Sequence, residues 1–143
     1  MVLKKATVQE RLKFLQELLA KLDELKKTPR DQFLSNFEKS WSAEHGLHLA
    51  AEAVFDIGNH ILVGHFKENP KGYGEIVPRL AEKGVLTGEL ASHFEKVGGF
   101  RNILVHEYMS VDKQKVYERL QQGLDDFRQF ISEILRWMEK SEK

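Results

Sequence analysis

The chain has 143 residues, with 22 Lys plus Arg against 22 Asp plus Glu, a formal net charge of zero and no cysteine. The charge balance excludes a global field that would draw the protein to nucleic acid or anionic lipid, so any such partner must be held by a local site. The lack of cysteine excludes disulfides, thiolate nucleophiles and Cys-ligated zinc, and the 41% hydrophobic content is enough for a packed core.

The length fits a single domain spanning 1–143. The N-terminus lacks the apolar run of a signal peptide, and no window approaches a membrane span. A soluble, cytoplasmic protein without a membrane partner is therefore expected.

Val8, Leu12, Leu15, Leu19, Leu22 and Leu25 recur at helical spacing, and Thr7 with Glu10 is expected to form a capping box. This helix should end near Lys26–Lys27, before Thr28–Pro29. A second pattern from about Asp31 to His65 carries Phe33, Phe37, Trp41, Leu47, Ala51, Val54, Gly58, Ile61 and Leu62. A phase slip between Trp41 and Leu47, with Gly46 inside it, permits a kink. Lys67 to Gly74 reads as a loop, Glu75 to Lys83 as a short helix ending at Gly84. Thr87 is positioned to cap a helix bearing Leu90, Phe94, Val97, Phe100 and Leu104. Ser110 or Asp112 is positioned to cap the last, whose stripe runs from Val116 to Met138. With no strand pattern, the expected architecture is all-α: an antiparallel up-and-down bundle of four main helices plus a short extra helix.

The helix from Thr87 to Tyr108 carries an anomaly. Arg101 falls inside the apolar arc of Leu90, Phe94, Val97, Leu104 and Tyr108, where a guanidinium must be paired or border a polar crevice. Glu95, Glu107 and Asp56 are candidate ion-pair partners for a purely structural arginine. His106 lies about 140° around the helix from Arg101, near the face of Asn102. Joint use of Arg101 and His106 thus needs a helix end near His106, or a second copy of the helix facing the first. Gly98 and Gly99 suit close approach of that second copy, or else a break in the helix.

An imidazole that titrates near neutrality and a guanidinium matched to phosphate oxygens suit RNA cleavage, in which the ribose 2′-hydroxyl attacks its own phosphate. The substrate carries the nucleophile, so the protein needs only to move protons and stabilise charge. The Arg-x4-His spacing alone is unspecific; a helix-terminal histidine stabilised by the dipole gives the same spacing.

The decorated string Gly99-Phe100-Arg101-Asn102-Ile103-Leu104-Val105-His106-Glu107-Tyr108 closely resembles the Arg-x4-His-x-Tyr signature of the HEPN superfamily, in particular its HepT-like toxins. Ala53 to Ile61 resembles the family's second-helix segment, Asn69-Pro70 to Leu86 its loop and short helix, and Val111 to Met138 its closing helix. The resemblance implies a helical bundle that forms a homodimer, with higher assembly left open, and acts on RNA as a metal-independent endoribonuclease without a cofactor. It implies Arg101 and His106 as the catalytic pair and Asn102 as a polar neighbour that orients them. It also implies a minimal nucleotidyltransferase antitoxin as partner, with Tyr108 as the site of AMPylation. The seven-residue separation is expected to place Tyr108 nearly directly above Arg101, where an attached AMP would block the cleft. The alternative is a non-catalytic helical adaptor that binds a nucleotide or the nucleotidyltransferase.

Asp56 and Asn59, three apart on the second helix, are candidates to support the Arg101–His106 site, with a structural role as the plainer reading. His45 and His48, with Glu44 near, read as a solvated face rather than a metal site. His60, His65 and His93 read the same way, and Gly72-Tyr73-Gly74 lacks the residues of a phosphate loop. Lys96, Arg101, Lys113 and Lys115 are candidate contributors to an RNA-binding patch, unplaced on any one surface.

Overall fold

Val8, Leu12, Leu15, Leu19 and Leu22 form the buried stripe of α1 (Lys5–Lys26) in the computed structural model, which describes residues 4–141. The helix begins one turn earlier than the expected capping box. Lys4 is the N-cap, without a side-chain bond, and Thr7 lies inside the first turn. Two of the four expected long helices are each divided. Arg30–Ser35 forms a short α2, and Asn36 then caps α3 (Phe37–Gly64) by accepting from the backbone N–H groups of Glu38 and Lys39. Further on come α4 (Tyr73–Glu82), α5 (Gly88–His106), a 3-10 turn (Tyr108–Ser110), α6 (Lys113–Gln122) and α7 (Leu124–Ser141). The division between α6 and α7 falls at Gly123, where an added Cβ would stand 2.8 Å from the carbonyl oxygen of Arg119. Asp112, not Ser110, caps α6 through the N–H of Gln114.

The fold is all-α, and its cross-contacts show how the long helices alternate in direction. Leu22 meets Gly46 and Arg11 pairs with Asp56, so α1 and α3 run antiparallel. Phe55 meets Gly98 and Glu52 meets Arg101, which sets α5 antiparallel to α3. Phe94 packs edge-on against Phe127 and Phe130, and Thr87 meets Glu133, which sets α7 antiparallel to α5. Thr87 caps α5 through Leu90 N–H, as its position in the sequence predicts. The buried Glu133 carboxylate accepts from the Thr87 N–H at 2.7 Å and from Gln129, adding negative charge at the positive end of α5.

The helix α3 runs without interruption across Gly46. The role of this glycine is close packing: a Cβ there would stand 2.6 Å from Leu22 Cδ2. Gly58 does the same for α4, where a Cβ would stand 2.5 Å from Ile76 Cγ2 and 2.9 Å from Leu80 Cδ1, both buried. Overpacking of this kind costs about 1–3 kcal/mol, against a helix-propensity gain of about 1 kcal/mol for Gly→Ala. Gly58→Ala is therefore expected to lower stability by about 1 kcal/mol in urea unfolding and to push α4 outward. An unchanged midpoint would show that Ile76 and Leu80 move aside freely.

Candidate functional site

Arg101 sits on the inward side of α5 with Leu90, Phe94 and Val97, and its side chain is only 11% exposed. Its partner is Glu52 on α3, which none of the candidates Glu95, Glu107 and Asp56 anticipated. Arg101 Nε donates to Glu52 Oε1 at 2.7 Å, and Nη1 donates to Asn102 Oδ1 at 3.2 Å. The guanidinium also lies over the Tyr73 ring, 4.0 Å from its centroid. Tyr73 in turn donates its hydroxyl to Glu52 Oε2 at 3.2 Å, and His48 Nε2 lies 3.3 Å from Glu52 Oε1. Three helices thus converge on one carboxylate: α3 supplies Glu52 and His48, α4 supplies Tyr73 from its first residue, and α5 supplies Arg101.

The charges follow this geometry. Burial raises the Glu52 carboxyl, but the hydrogen bond and charge of Arg101, the Tyr73 hydroxyl and His48 outweigh it and hold the group below its ordinary range. Burial and the Glu52 charge together raise the Tyr73 hydroxyl. A guanidinium has five N–H donors. Two are used, by Glu52 and Asn102, and the remaining three have no acceptor among the described residues. Such a group is held in one orientation and still has donors for a phosphate oxygen.

His106 is the last residue of α5 and is exposed, with no side-chain partner among the described residues. The helix therefore ends where the sequence requires it to for His106 to be used. One chain does not bring the imidazole into hydrogen-bond contact with Arg101. Tyr108 is not stacked above Arg101. Glu107 leaves helical geometry (φ −125°, ψ 36°), and Tyr108 begins the 3-10 turn with 71% of its surface exposed. The helix is unbroken through Gly98 and Gly99, and an added Cβ at Gly99 would meet open space.

Asp56 pairs with Arg11 of α1 and makes no bond to Arg101. It lines, with Asn59, Glu52 and Tyr73, an open groove of about 690 Å³ between α1, α3 and α4. Asp56 and Asn59 thus border the Glu52 side of the site without touching its guanidinium. His45 and His48 line a shallow hollow with Trp41, Glu44 and Leu104, and no group of three residues able to hold a metal occurs among the described residues. Glu44 is raised by burial, opposed by the charge of Lys113, which puts Lys113 beside α3.

Sequence reasoning missed Glu52, His48 and Tyr73. The signal for Glu52 is a lone carboxylate in the run Leu49-Ala50-Ala51-Glu52-Ala53-Val54-Phe55, which requires a cation as surely as Arg101 requires an anion. Tyr73 gave no signal, because it opens α4 two residues before the expected start.

The family model described as "Ribonuclease HepT-like" matches residues 15–134, and the chain belongs to that family. It is 30% identical over 129 residues to the tRNA nuclease HepT of Aphanizomenon flos-aquae, covering 89% of this chain and 86% of that protein. To the mRNA nuclease HepT of Shewanella oneidensis it is 33% identical over 103 residues, covering 72% of this chain and 77% of that one. Among solved structures it is similar to the tri-AMPylated Shewanella oneidensis HEPN toxin in complex with MNT antitoxin (TM-score 0.82, 26% identity, 90% of this chain and 96% of that one). A toxin–antitoxin crystal structure with AMP-PNP matches with TM-score 0.78 and 26% identity, over 89% of this chain and 96% of that one. No helix among the described residues is long and apolar enough to cross a membrane.

Proposed function

We propose that this protein is a metal-independent endoribonuclease toxin, active as a homodimer and neutralised by a nucleotidyltransferase antitoxin. The observation that carries this is the Arg101 guanidinium, pinned by Glu52, Asn102 and Tyr73 yet keeping donors unspent, on the helix that ends in an exposed His106, neither of them meeting a further partner among the described residues. His106 takes the proton of the ribose 2′-hydroxyl as its oxygen attacks the adjacent phosphorus, or returns a proton to the departing 5′-oxygen. Arg101 binds the phosphate and stabilises the charge of the phosphorane, and Asn102 sets its orientation. The products are a 2′,3′-cyclic phosphate and a 5′-hydroxyl end, with no outside reactant consumed. Because Arg101 and His106 lie about 140° apart around α5, a two-fold dimer that faces one α5 against another supplies the missing juxtaposition.

Incubating the purified protein with total tRNA in excess EDTA tests this reading. Cleavage with cyclic-phosphate ends supports it. Intact RNA under all conditions supports instead the adaptor that holds a nucleotidyltransferase complex together.

Neutralisation is assigned to AMPylation of Tyr108, an exposed residue two positions beyond His106. AMP there adds an anionic phosphate and a bulky base beside the imidazole, which obstructs an RNA strand. Co-expression with the partner transferase should add the mass of one or more AMP groups to the peptide holding Tyr108 and suppress cleavage. An inhibited complex with unmodified Tyr108 would remove this part of the reading.

A further inference from the structure

On the side of α5 away from Glu52, a second groove of about 700 Å³ runs between α5 and α6. Its α5 wall is one helical line: His93, Lys96, Gly99, Phe100 and Ile103. The next position on that line is His106, three residues beyond Ile103 and seven beyond Gly99. The facing wall contributes Lys115 and Arg119 from α6. Arg119 is held in place: it lies 5.6 Å from the Phe100 ring centroid and donates Nη2 to the Lys96 carbonyl at 3.4 Å.

Arg11, Arg79, Arg101 and Arg128 are each committed to a carboxylate, and the cations of this groove are not. Lys96, Lys115 and Arg119 have no ion-pair partner among the described residues. Of the two acids in the groove, Asp126 contacts His93 Nδ1 at 2.9 Å, and Glu118 accepts from the neutral Gln114 amide at 3.3 Å and keeps its charge. In a chain with no net charge, three cations against two carboxylates leave this groove a local positive excess, with His106 on the next turn of its α5 wall. Gly99, with open space where a side chain would stand, leaves the floor clear.

We infer that the α5–α6 groove binds the phosphodiester backbone of single-stranded RNA through Lys96, Lys115 and Arg119, and leads the strand to His106. This rests on the ribonuclease reading and extends it to the nucleotides flanking the cleaved bond. Cations on both walls, Lys96 on α5 and Lys115 and Arg119 on α6, can hold the phosphates of a strand lying between them, and no base need be read.

A fluorescent 2′-O-methyl RNA of about 12 nucleotides tests the assignment on the intact wild-type protein, since it lacks the nucleophile and survives in the complex. Neutralising three phosphates predicts a slope of log K against log salt near −2, at about −0.7 per contact on a single strand. Lys96→Ala plus Lys115→Ala, both at exposed positions, should flatten the slope by about 1.4 and weaken low-salt binding at least tenfold. Arg119→Ala alone should flatten it by about 0.7, and Lys21→Ala on α1 should leave it unchanged. The Lys96/Lys115 double variant carries the test even if Arg119→Ala fails to fold. An unchanged slope in a folded double variant overturns the groove, as does loss of nucleotidyltransferase binding with RNA affinity intact, which would make it a protein-docking face. Groove-dependent binding without any RNA cleavage by the wild type would instead sink the nuclease reading and leave the groove standing.

Discussion

His106→Ala is expected to reduce RNA cleavage by about 10²–10⁴-fold, the range a positioned general acid–base supplies. The melting curve should stay close to that of the wild type, because the imidazole is exposed and bonds to nothing among the described residues. Gel-resolved cleavage of total tRNA, with and without excess EDTA, checks both halves. Equal rates with and without chelator are expected for the wild type, and no cleavage above background for the variant. Full activity in a folded His106→Ala protein would remove the imidazole from the chemistry and with it the proposed mechanism.

Arg101→Ala should abolish cleavage and also destabilise, which separates it from His106→Ala. The guanidinium is expected to contribute at least about 10²-fold to the rate, as other preorganised donors to a developing charge do. Its removal strands Glu52 in a part-buried position, for which we expect a loss of about 1–3 kcal/mol in denaturant unfolding. Arg101→Lys should rescue little, since an ammonium cannot serve Glu52 and Asn102 with the same fork while keeping its charge over the Tyr73 ring. The double variant Arg101→Ala/Glu52→Ala should regain stability relative to Arg101→Ala without regaining cleavage. These outcomes would make Glu52 a positioning residue for Arg101, and the pH dependence of stability offers a second check on the pair. Its folded carboxyl titrates below the ordinary 4.5, so its contribution to stability is complete above that value and is lost as pH falls through the lower folded value. The difference in melting temperature between wild type and Glu52→Gln should shrink as pH falls below the ordinary 4.5, where the Glu52 carboxylate is protonated. A difference that persists undiminished at the acid end of that range would contradict the ion pair.

The elements easiest to read were those whose apolar stripes stay in phase with the helix repeat. Val8 to Leu22, and Leu90 to Val97, are buried as their spacing requires. The breaks at Asn36 and Gly123 were hidden for the same reason. Val116, Leu120, Leu124 and Phe127 keep four- and three-residue steps straight through Gly123, because α6 and α7 both bury that side. Periodicity reports which face is covered and is silent about a change in axis that preserves the covering. In the site, the need of Arg101 for an anion followed from its position in an apolar arc, while its partner lay 49 residues away on another helix. Local patterns carry no information about such a pairing. The expectation for Tyr108 failed at a single residue: Glu107 departs from helical dihedrals, and everything beyond it swings off the line of Arg101.

That swing has a consequence for timing. A tyrosine packed into the bundle could be reached only while the chain is still being made, which would force antidote and poison to be synthesised in step. Tyr108 instead sits exposed on a short turn after α5. If it is the AMP acceptor proposed for it, a transferase arriving late would meet the same acceptor as one present from the start. Disarming would then be a contest of rates between two finished proteins, and a cell that had already accumulated the nuclease would still be rescued.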